Sequence, residues 1–345
     1  MTPSTTVRQS KQSLHKLAVD QVRQLILASP GQRLPSERDM SQQLSISRPR
    51  LRSIIASLQM EGLVETRKGS GTYALNPDQS QIRNIIVLID SSLKIAEDPF
   101  VSHLVEEIFK ASQASDLRCT IERINGDRIT LDHEDGAIIF GKEGSKVLAQ
   151  LKETDPPVIS LFLEGTTHRR GRVSRILLDD YSAGISAVEI LLSEGFRSIF
   201  FAGREDIPAS KNRFEGAKTA AAERGVQVKF LETSLNYVSG IKLGSMIAIP
   251  SDKTAFIATN DWLALGIRSG LSGRVDRQDA RIISFDGLAI TKDPHHRITS
   301  LKVPIDEIAA DVISELFRLS RKGISQGRTL IYSLNPDQSA SLRTD

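Results

Sequence analysis

Cysteine is nearly missing from this chain: its 345 residues include one, Cys119. That excludes an intrachain disulfide and any cysteine-rich metal site, and it fits a reducing cytoplasm. Long apolar runs are missing too. No stretch of about 18 uncharged apolar residues occurs, so no membrane-spanning helix is expected. The opening MTPSTTVRQSKQSLHK has no apolar segment to act as an export signal. Aromatic residues make up only 5% of the chain, which excludes a stacking platform for single-stranded nucleic acid. The GxSxG, HExxH and DFG spacings are absent. Adjacent His295 and His296 lack metal-ligand spacing, and Gly141–Ser145 has a phosphate loop's composition in the wrong order. No metal, cofactor or catalytic set is therefore expected, and an enzyme, for example a sugar-modifying one, is the weaker alternative.

What is present is a charge asymmetry. Residues 1–75 carry 11 Lys and Arg against 5 Asp and Glu, while residues 76–345 carry 34 against 37. A small basic front on a near-neutral body points to a polyanionic partner for the front. The 39% hydrophobic and 25% charged composition is that of a globular protein long enough for two domains.

The front reads as three helices and a hairpin. Residues 1–13 are polar and aperiodic, a loose arm. Leu14, Leu17, Ala18, Val22, Leu25 and Ile26 share one helical face. Ser36 is suited to cap a second helix, with Asp39 completing a weak capping box. Ser47 opens a third, where Pro49 in the first turn costs little. Leu51, Ile54, Ile55 and Leu58 form that helix's buried stripe and leave Pro49, Ser53 and Ala56 outward, flanked by Arg48, Arg50 and Arg52. Two short strands follow, joined by Lys68-Gly69-Ser70-Gly71. A helix enters the B-DNA major groove only if its outward face is slim, and a thin Gly-tipped hairpin suits the backbone or minor groove. The spacing is that of a winged helix-turn-helix, residues 1–76.

LPSER (Leu34–Arg38), SRPRLR (Ser47–Arg52) and LQMEGLVETRKGSGTYAL (Leu58–Leu75) resemble the GntR family of bacterial transcription regulators. The resemblance implies DNA contacts at Arg38, Ser47, Arg48 and Arg52. Arg50 stands where the family has a small hydroxyl residue. Lys68, Gly69 and Ser70 are the wing's candidates.

Residues 77–83 read as a linker, since the polar NPDQSQIR contains proline. From residue 84 to 345, strands alternate with helices, which argues for α/β architecture with parallel sheets in two lobes. Lobe one is expected at about 84–194 and 298–322, and lobe two at about 195–297 and 323–345. Ligands in such folds bind outside the carboxyl ends of the strands. Those ends offer Asp90, Asp180, Asn260 and Asp286, whose oxygens and amides suit the vicinal hydroxyls of a sugar. The hexamer LNPDQS occurs twice, at Leu75–Ser80 and Leu334–Ser339, and reads as two strand-ending turns.

DPF (Asp98–Phe100), LLDDYSAG (Leu177–Gly184), KNRFEGAKTAAAERG (Lys211–Gly225), AFIATNDWLALG (Ala255–Gly266) and ISFDG (Ile283–Gly287) resemble the LacI/GalR sensor domain, a periplasmic-binding-protein-like fold. That resemblance implies effector contacts at Arg213, Asn260, Asp286 and Asp180, with Phe100 and Phe162 as apolar walls. Trp262 reads as core packing. A GntR-type reader on a LacI-type sensor is similar to the arabinose-responsive repressors. The expectation is a cytoplasmic homodimer that binds duplex operator DNA under control of a sugar-like effector. A nucleoside or another metabolite is the alternative ligand.

Overall fold

The computed structural model describes residues 18–336 except 20, 27, 30, 61–62, 68–69, 75–81, 125–130, 132–134, 152–155, 164–171, 250–252, 275–279, 294, 297 and 322–325. The arm, most of the linker, Lys68 and Gly69 lie outside the described residues.

The front has α1 (residues 18–19 and 21–26), α2 (Glu37–Gln43), α3 (Arg48–Met60), β1 (Val64–Arg67) and β2 (Gly71–Ala74). α2 starts as its sequence dictates. Ser36 Oγ accepts from the Asp39 N–H at 3.3 Å and donates to Asp39 Oδ2 at 2.7 Å. The α3 stripe of Leu51, Ile54, Ile55 and Leu58 packs with Val22, Ile26 and Met40 in one small core. β1 and β2 pair antiparallel, Val64 opposite Ala74. Residues 32–34 add a third strand to this wing, with the Leu34 N–H donating to Thr72 O and the Ala74 N–H to Gln32 O, both at 2.8 Å.

The rear holds two six-stranded sheets. β3 (Asn84–Ile89), β4 (Arg118–Arg123), β5 (Asp135–Phe140), β6 (Val158–Leu161), β7 (Val173–Leu178) and β13 (Thr329–Tyr332) form the first, in the order β13-β7-β6-β5-β3-β4. β8 (Ser198–Gly203), β9 (Val228–Glu232), β10 (Thr254–Ala258), β11 (Ala280–Asp286), β12 (Ile298–Lys302) and β14 (Asn335–Pro336) form the second, ordered β14-β12-β11-β10-β8-β9. All pairings are parallel except β12 with β14. The helices are α4 (Pro99–Ala114), α5 (Gly144–Leu148), α6 (Asp180–Ser193), α7 (Pro208–Ala222), α8 (Tyr237–Met246), α9 (Asp261–Leu271) and α10 (Ile305–Ser320). Central strands such as Thr254–Ala258 are buried throughout, because parallel sheets are covered on both faces, whereas the edge strands β4, β9 and β13 are partly exposed.

The expected lobe boundaries need three corrections. β12, expected in lobe one, pairs with β11 in the second sheet. β13, expected in lobe two, pairs with β7 in the first, Leu330 beside Ile176. α6, expected with lobe one, packs on α7. That last contact is backbone to backbone. A Cβ added at Gly184 would lie 2.0 Å from Arg213 O, and one at Gly216 2.0 Å from Tyr181 O. Only glycine permits such a crossing, and it brings the start of α6 against the middle of α7. The chain therefore passes between sheets after β7, after β12 and after β13, and cannot be cut at single positions into two lobes.

The second LNPDQS copy is more than a turn: Leu334 is buried in the main core and Asn335–Pro336 pairs with Leu301–Lys302. The first copy lies outside the described residues. Among the described residues, no helix is long and apolar enough to cross a membrane.

Candidate functional site

Two surfaces carry the candidate residues. On the front, Ser47, Arg48, Pro49, Arg52, Ser53 and Ala56 are all exposed along α3, as the stripe opposite them requires. Arg48 and Arg52 lie one turn apart on a common ridge. Arg50 is half-buried and, at about 100° per residue, is turned about 200° from Arg48. Arg48 and Arg52 thus border one side of the face of Pro49, Ser53 and Ala56, and Arg50 borders the other. Arg38 is exposed on α2. Arg52 Nε lies 2.7 Å from Glu37 Oε2 with both side chains open to solvent. Such a pair contributes about 0–1 kcal/mol and exchanges readily for a phosphate or a guanine edge. In the wing, the Ser70 hydroxyl is 2.7 Å from the Tyr73 hydroxyl, so this candidate is partly committed within the hairpin.

In the rear, a cavity of about 220 Å³ sits where the carboxyl ends of both sheets face each other. That is below the roughly 300–1,000 Å³ of drug-sized sites, so it suits one compact ligand. Phe100, Asp180, Arg213, Asn260 and Asp286 line it, and so do Asp98, Phe140, Phe162 and Thr259. One wall is aromatic. The Phe162 ring centroid lies 6.1 Å from that of Phe100 and 5.9 Å from that of Phe140. These come from the start of α4 and the ends of β5 and β6. Asp98 caps α4, its Oδ1 accepting from the Phe100 and Val101 N–H groups at 3.0 and 3.1 Å.

The opposite wall is polar. Arg213 Nε donates to Asp180 Oδ1 at 2.7 Å, and its Nη1 donates to Thr259 O at 2.6 Å. The guanidinium also lies 4.5 Å from the Phe285 ring centroid. Capping does not fall to Asp180, because the N-cap of α6 is Asp179, whose side chain accepts from the Ser182 N–H. Asn260 is an N-cap as well as a lining residue: its Oδ1 accepts from the Leu263 N–H at 2.8 Å and its amide donates to Leu235 O at 3.2 Å.

Asp286 ends β11 with φ 114, a conformation L-residues rarely adopt, and it is buried. Beside it, Asp261 accepts from the Ser300 hydroxyl and the Leu288 N–H, both at 2.7 Å, and from Ser284. Burial raises the Asp261 carboxyl to about 6, against hydrogen bonds from Ser284, Ser300, Leu288 and Gly287. Asp286 is raised well above the ordinary range, first by burial and then by the charge of Asp261, with Arg213 opposing. The site thus crowds carboxyls around one guanidinium.

Asp90 does not line the cavity. It is spent on a turn: Oδ1 accepts from the Ser92 N–H and hydroxyl at 2.9 and 2.7 Å, and Oδ2 from the Glu143 N–H at 2.8 Å. Burial pushes its carboxyl up, but these bonds together leave it lowered. Trp262 is outside the lining and packs on Tyr237, with centroids 5.3 Å apart. His295 and His296 both reach Asp293, at 2.9 and 3.9 Å, on an exposed turn. Sequence reasoning missed Asp98, Phe140 and Thr259 as lining residues. Asp98 and Thr259 directly neighbour Phe100 and Asn260 in their motifs, whereas Phe140 had only its place at a strand end.

A winged helix joined to a two-lobed α/β ligand-binding fold is the layout of a DNA-binding sensor protein. Comparison with known proteins agrees. Residues 14–74 match the family of bacterial regulatory proteins of the gntR type, and residues 188–339 match the periplasmic binding protein-like domain. The Uxu operon transcriptional regulator of Escherichia coli (strain K12) is 40% identical over 63 residues, 17% of this chain and 24% of that protein. The regulator MalR of Clostridium butyricum is 26% identical over 253 residues, 71% of this chain and 72% of that one. Among solved structures, a LacI family regulator from Enterococcus faecium with bound ribose superposes with TM-score 0.62 at 22% identity, covering 74% of this chain and 97% of that one. The Escherichia coli transcriptional repressor AscG gives TM-score 0.58 at 18% identity, covering 76% and 100%. At these identities the structural likeness establishes the fold. Residues 14–74 are thus similar to the DNA-binding part of gntR-type regulators, and the larger part of the chain has the fold seen in LacI-family regulators.

Proposed function

We propose that this regulator is a homodimeric repressor that binds a near-palindromic operator and releases or tightens its grip when a neutral sugar fills the cleft. Paired winged helices require half-sites about one DNA turn, or a multiple, apart. Arg38, Ser47, Arg48 and Arg52 read and position the duplex, and Lys68, Gly69 and Ser70 follow its backbone. Asp180, Arg213, Asn260 and Asp286 hold the hydroxyls, while Phe100, Phe140 and Phe162 cover an apolar ring face.

The observation that carries the sugar reading is the cavity's charge. Three carboxyls, Asp98, Asp180 and Asp286, line it against one guanidinium. An anionic ligand would meet excess negative charge in a desolvated site, whereas hydroxyls donate to carboxylates at no charge cost. The ribose bound by the Enterococcus faecium neighbour supports the same class.

Calorimetry of the full chain with a panel of pentoses, hexoses, sugar acids and nucleosides tests this. Saturable heat with a neutral sugar is expected. Heat only with nucleosides moves the ligand class to bases stacked on the phenylalanines, and heat only with sugar acids overturns the charge argument. For the front, Arg52→Ala is expected to lose about 1–3 kcal/mol of operator affinity while non-specific binding changes little. Gel-shift titrations on operator and scrambled duplexes that fall equally would reassign Arg52 to the phosphates.

A further inference from the structure

At the opposite end of the second sheet, where β8, β9 and β10 begin, the turn after α6, the turn after α7 and the residue before β10 enclose a second, more open groove of about 890 Å³. Arg197, Arg224, Lys229 and Lys253 line it and no carboxylate does. All four are exposed. We propose that this groove is a second effector site, for a compact polyanion such as a phosphorylated metabolite, distinct from the cleft.

The arginines are not there to cap helices. The carbonyls at the end of α6 are taken by the Gly195 N–H (to Leu192 O, 3.1 Å) and the Phe196 N–H (to Leu191 O, 3.0 Å). At the end of α7, Gly225 and Val226 do the same, to Ala222 O at 3.1 Å and Ala221 O at 2.9 Å. Nor does the acid beside each turn neutralise its arginine. Glu194, just before the first turn, is bound to Arg281 at 2.8 and 3.0 Å. Glu223 precedes the second turn without lining the groove. Gly195 and Gly225 adopt φ of +85 and +65, and a Cβ on either would meet nothing within 4 Å, so the turns leave the mouth clear.

The Arg197, Arg224 and Lys229 cations around one concavity repel one another, and a multivalent anion relieves that repulsion. The concave shape and the local confinement of the charge favour a small anion over duplex DNA. Residues 76–345 carry 34 basic against 37 acidic residues, so the body as a whole offers a duplex no excess of positive charge. The groove and the cleft lie at the two ends of the same strands, β8 and β10. Strands of this length span about 17–20 Å, so one ligand does not fill both sites.

The test is calorimetry of the full chain with inorganic pyrophosphate at low ionic strength, in wild type and in the Arg197→Gln, Arg224→Gln double variant. Both residues are exposed, and the variant is expected to keep the wild-type melting temperature. The expected result is saturable pyrophosphate binding weakened about tenfold or more in the variant, with sugar binding and operator affinity unchanged. Pyrophosphate held by the basic front would persist in the variant. Equal binding in both proteins, or no binding in either, overturns the proposal. A loss of operator affinity matching the loss of pyrophosphate assigns the patch to DNA and also overturns it.

Discussion

Arg213→Ala is expected to destabilise the sensor by about 3–5 kcal/mol and to abolish effector binding. Arg213 and Asp180 are 4% and 6% exposed, and their 2.7 Å contact is a buried ion pair inside the cavity. Removing the guanidinium leaves the Asp180 carboxylate buried without its cation. It also frees Thr259 O and uncovers the Phe285 ring. Arg213 therefore ties α7 to the start of α6 and to the loop after β10, three of the elements that shape the polar wall. Thermal melts and sugar calorimetry check this. The Asp180→Asn, Arg213→Met double variant separates stability from binding: it is expected to recover much of the melting temperature, because no charge is left unpaired, and to remain unable to bind sugar. If Arg213→Ala keeps its melting temperature and its sugar affinity within about twofold, the pair is not the cleft's organiser.

Asp286→Asn is expected to stabilise the protein at neutral pH. Asp261, raised to about 6 from an ordinary 3.8, and Asp286, raised well above the ordinary carboxylate range, hold protons in the folded state that the unfolded chain releases near pH 4. The folded state then binds more protons than the unfolded one, so stability falls as pH rises from about 4 through the folded-state titrations. A tenfold difference in proton affinity between the two states corresponds to about 1.4 kcal/mol. The groups facing Asp286 are Asp261 from α9, Arg213 from α7 and Asp98 ahead of α4; the Arg213 charge and the Asp261 backbone N–H favour its ionised form, and burial and the charges of Asp261 and Asp98 oppose it. Asparagine removes the charge and tolerates φ 114 better than most residues. The variant should therefore gain stability near pH 7 and nothing near pH 4, with a flatter profile between. Melts recorded across pH 4–8 decide it: parallel profiles separated by a constant gap would show that Asp286 carries no proton linkage. A protonated Asp286 already pairs one donor with one acceptor, as an amide does, so sugar binding is expected to change little.

The two parts of the molecule differ in how much their sequences disclose. In the front, the interactions that matter are local. Ser36 caps its own helix three residues on, and the stripe of Leu51, Ile54, Ile55 and Leu58 forces Arg48 and Arg52 outward by helical geometry alone. Period and capping therefore determine the helices and the exposed arginine ridge without any knowledge of contacts. Arg50 follows the same rule: two residues on from Arg48, the helical turn carries it to the other side of the slim face.

The rear shows the opposite balance. The buried strands are readable as apolar runs, and the cleft's polar residues as strand-end residues. Yet α8 is not legible, since YVSGIKLGSM has two glycines and poor helix propensity. It is helical because Gly240 and Gly244 let it lie against Gly266 and Gly270 of α9, a contact no local rule contains. The same holds for Asp90 and Asp180, two aspartates at strand ends with equal claims from sequence. Which one turns into the cavity depends on partners far along the chain: Glu143 holds Asp90 in its turn, 53 residues away, and Arg213 holds Asp180, 33 residues away. Alternation and capping act within one or two turns of the backbone and are written in the sequence. The choice among chemically equivalent side chains is made by packing between distant segments, and only the tertiary structure decides it.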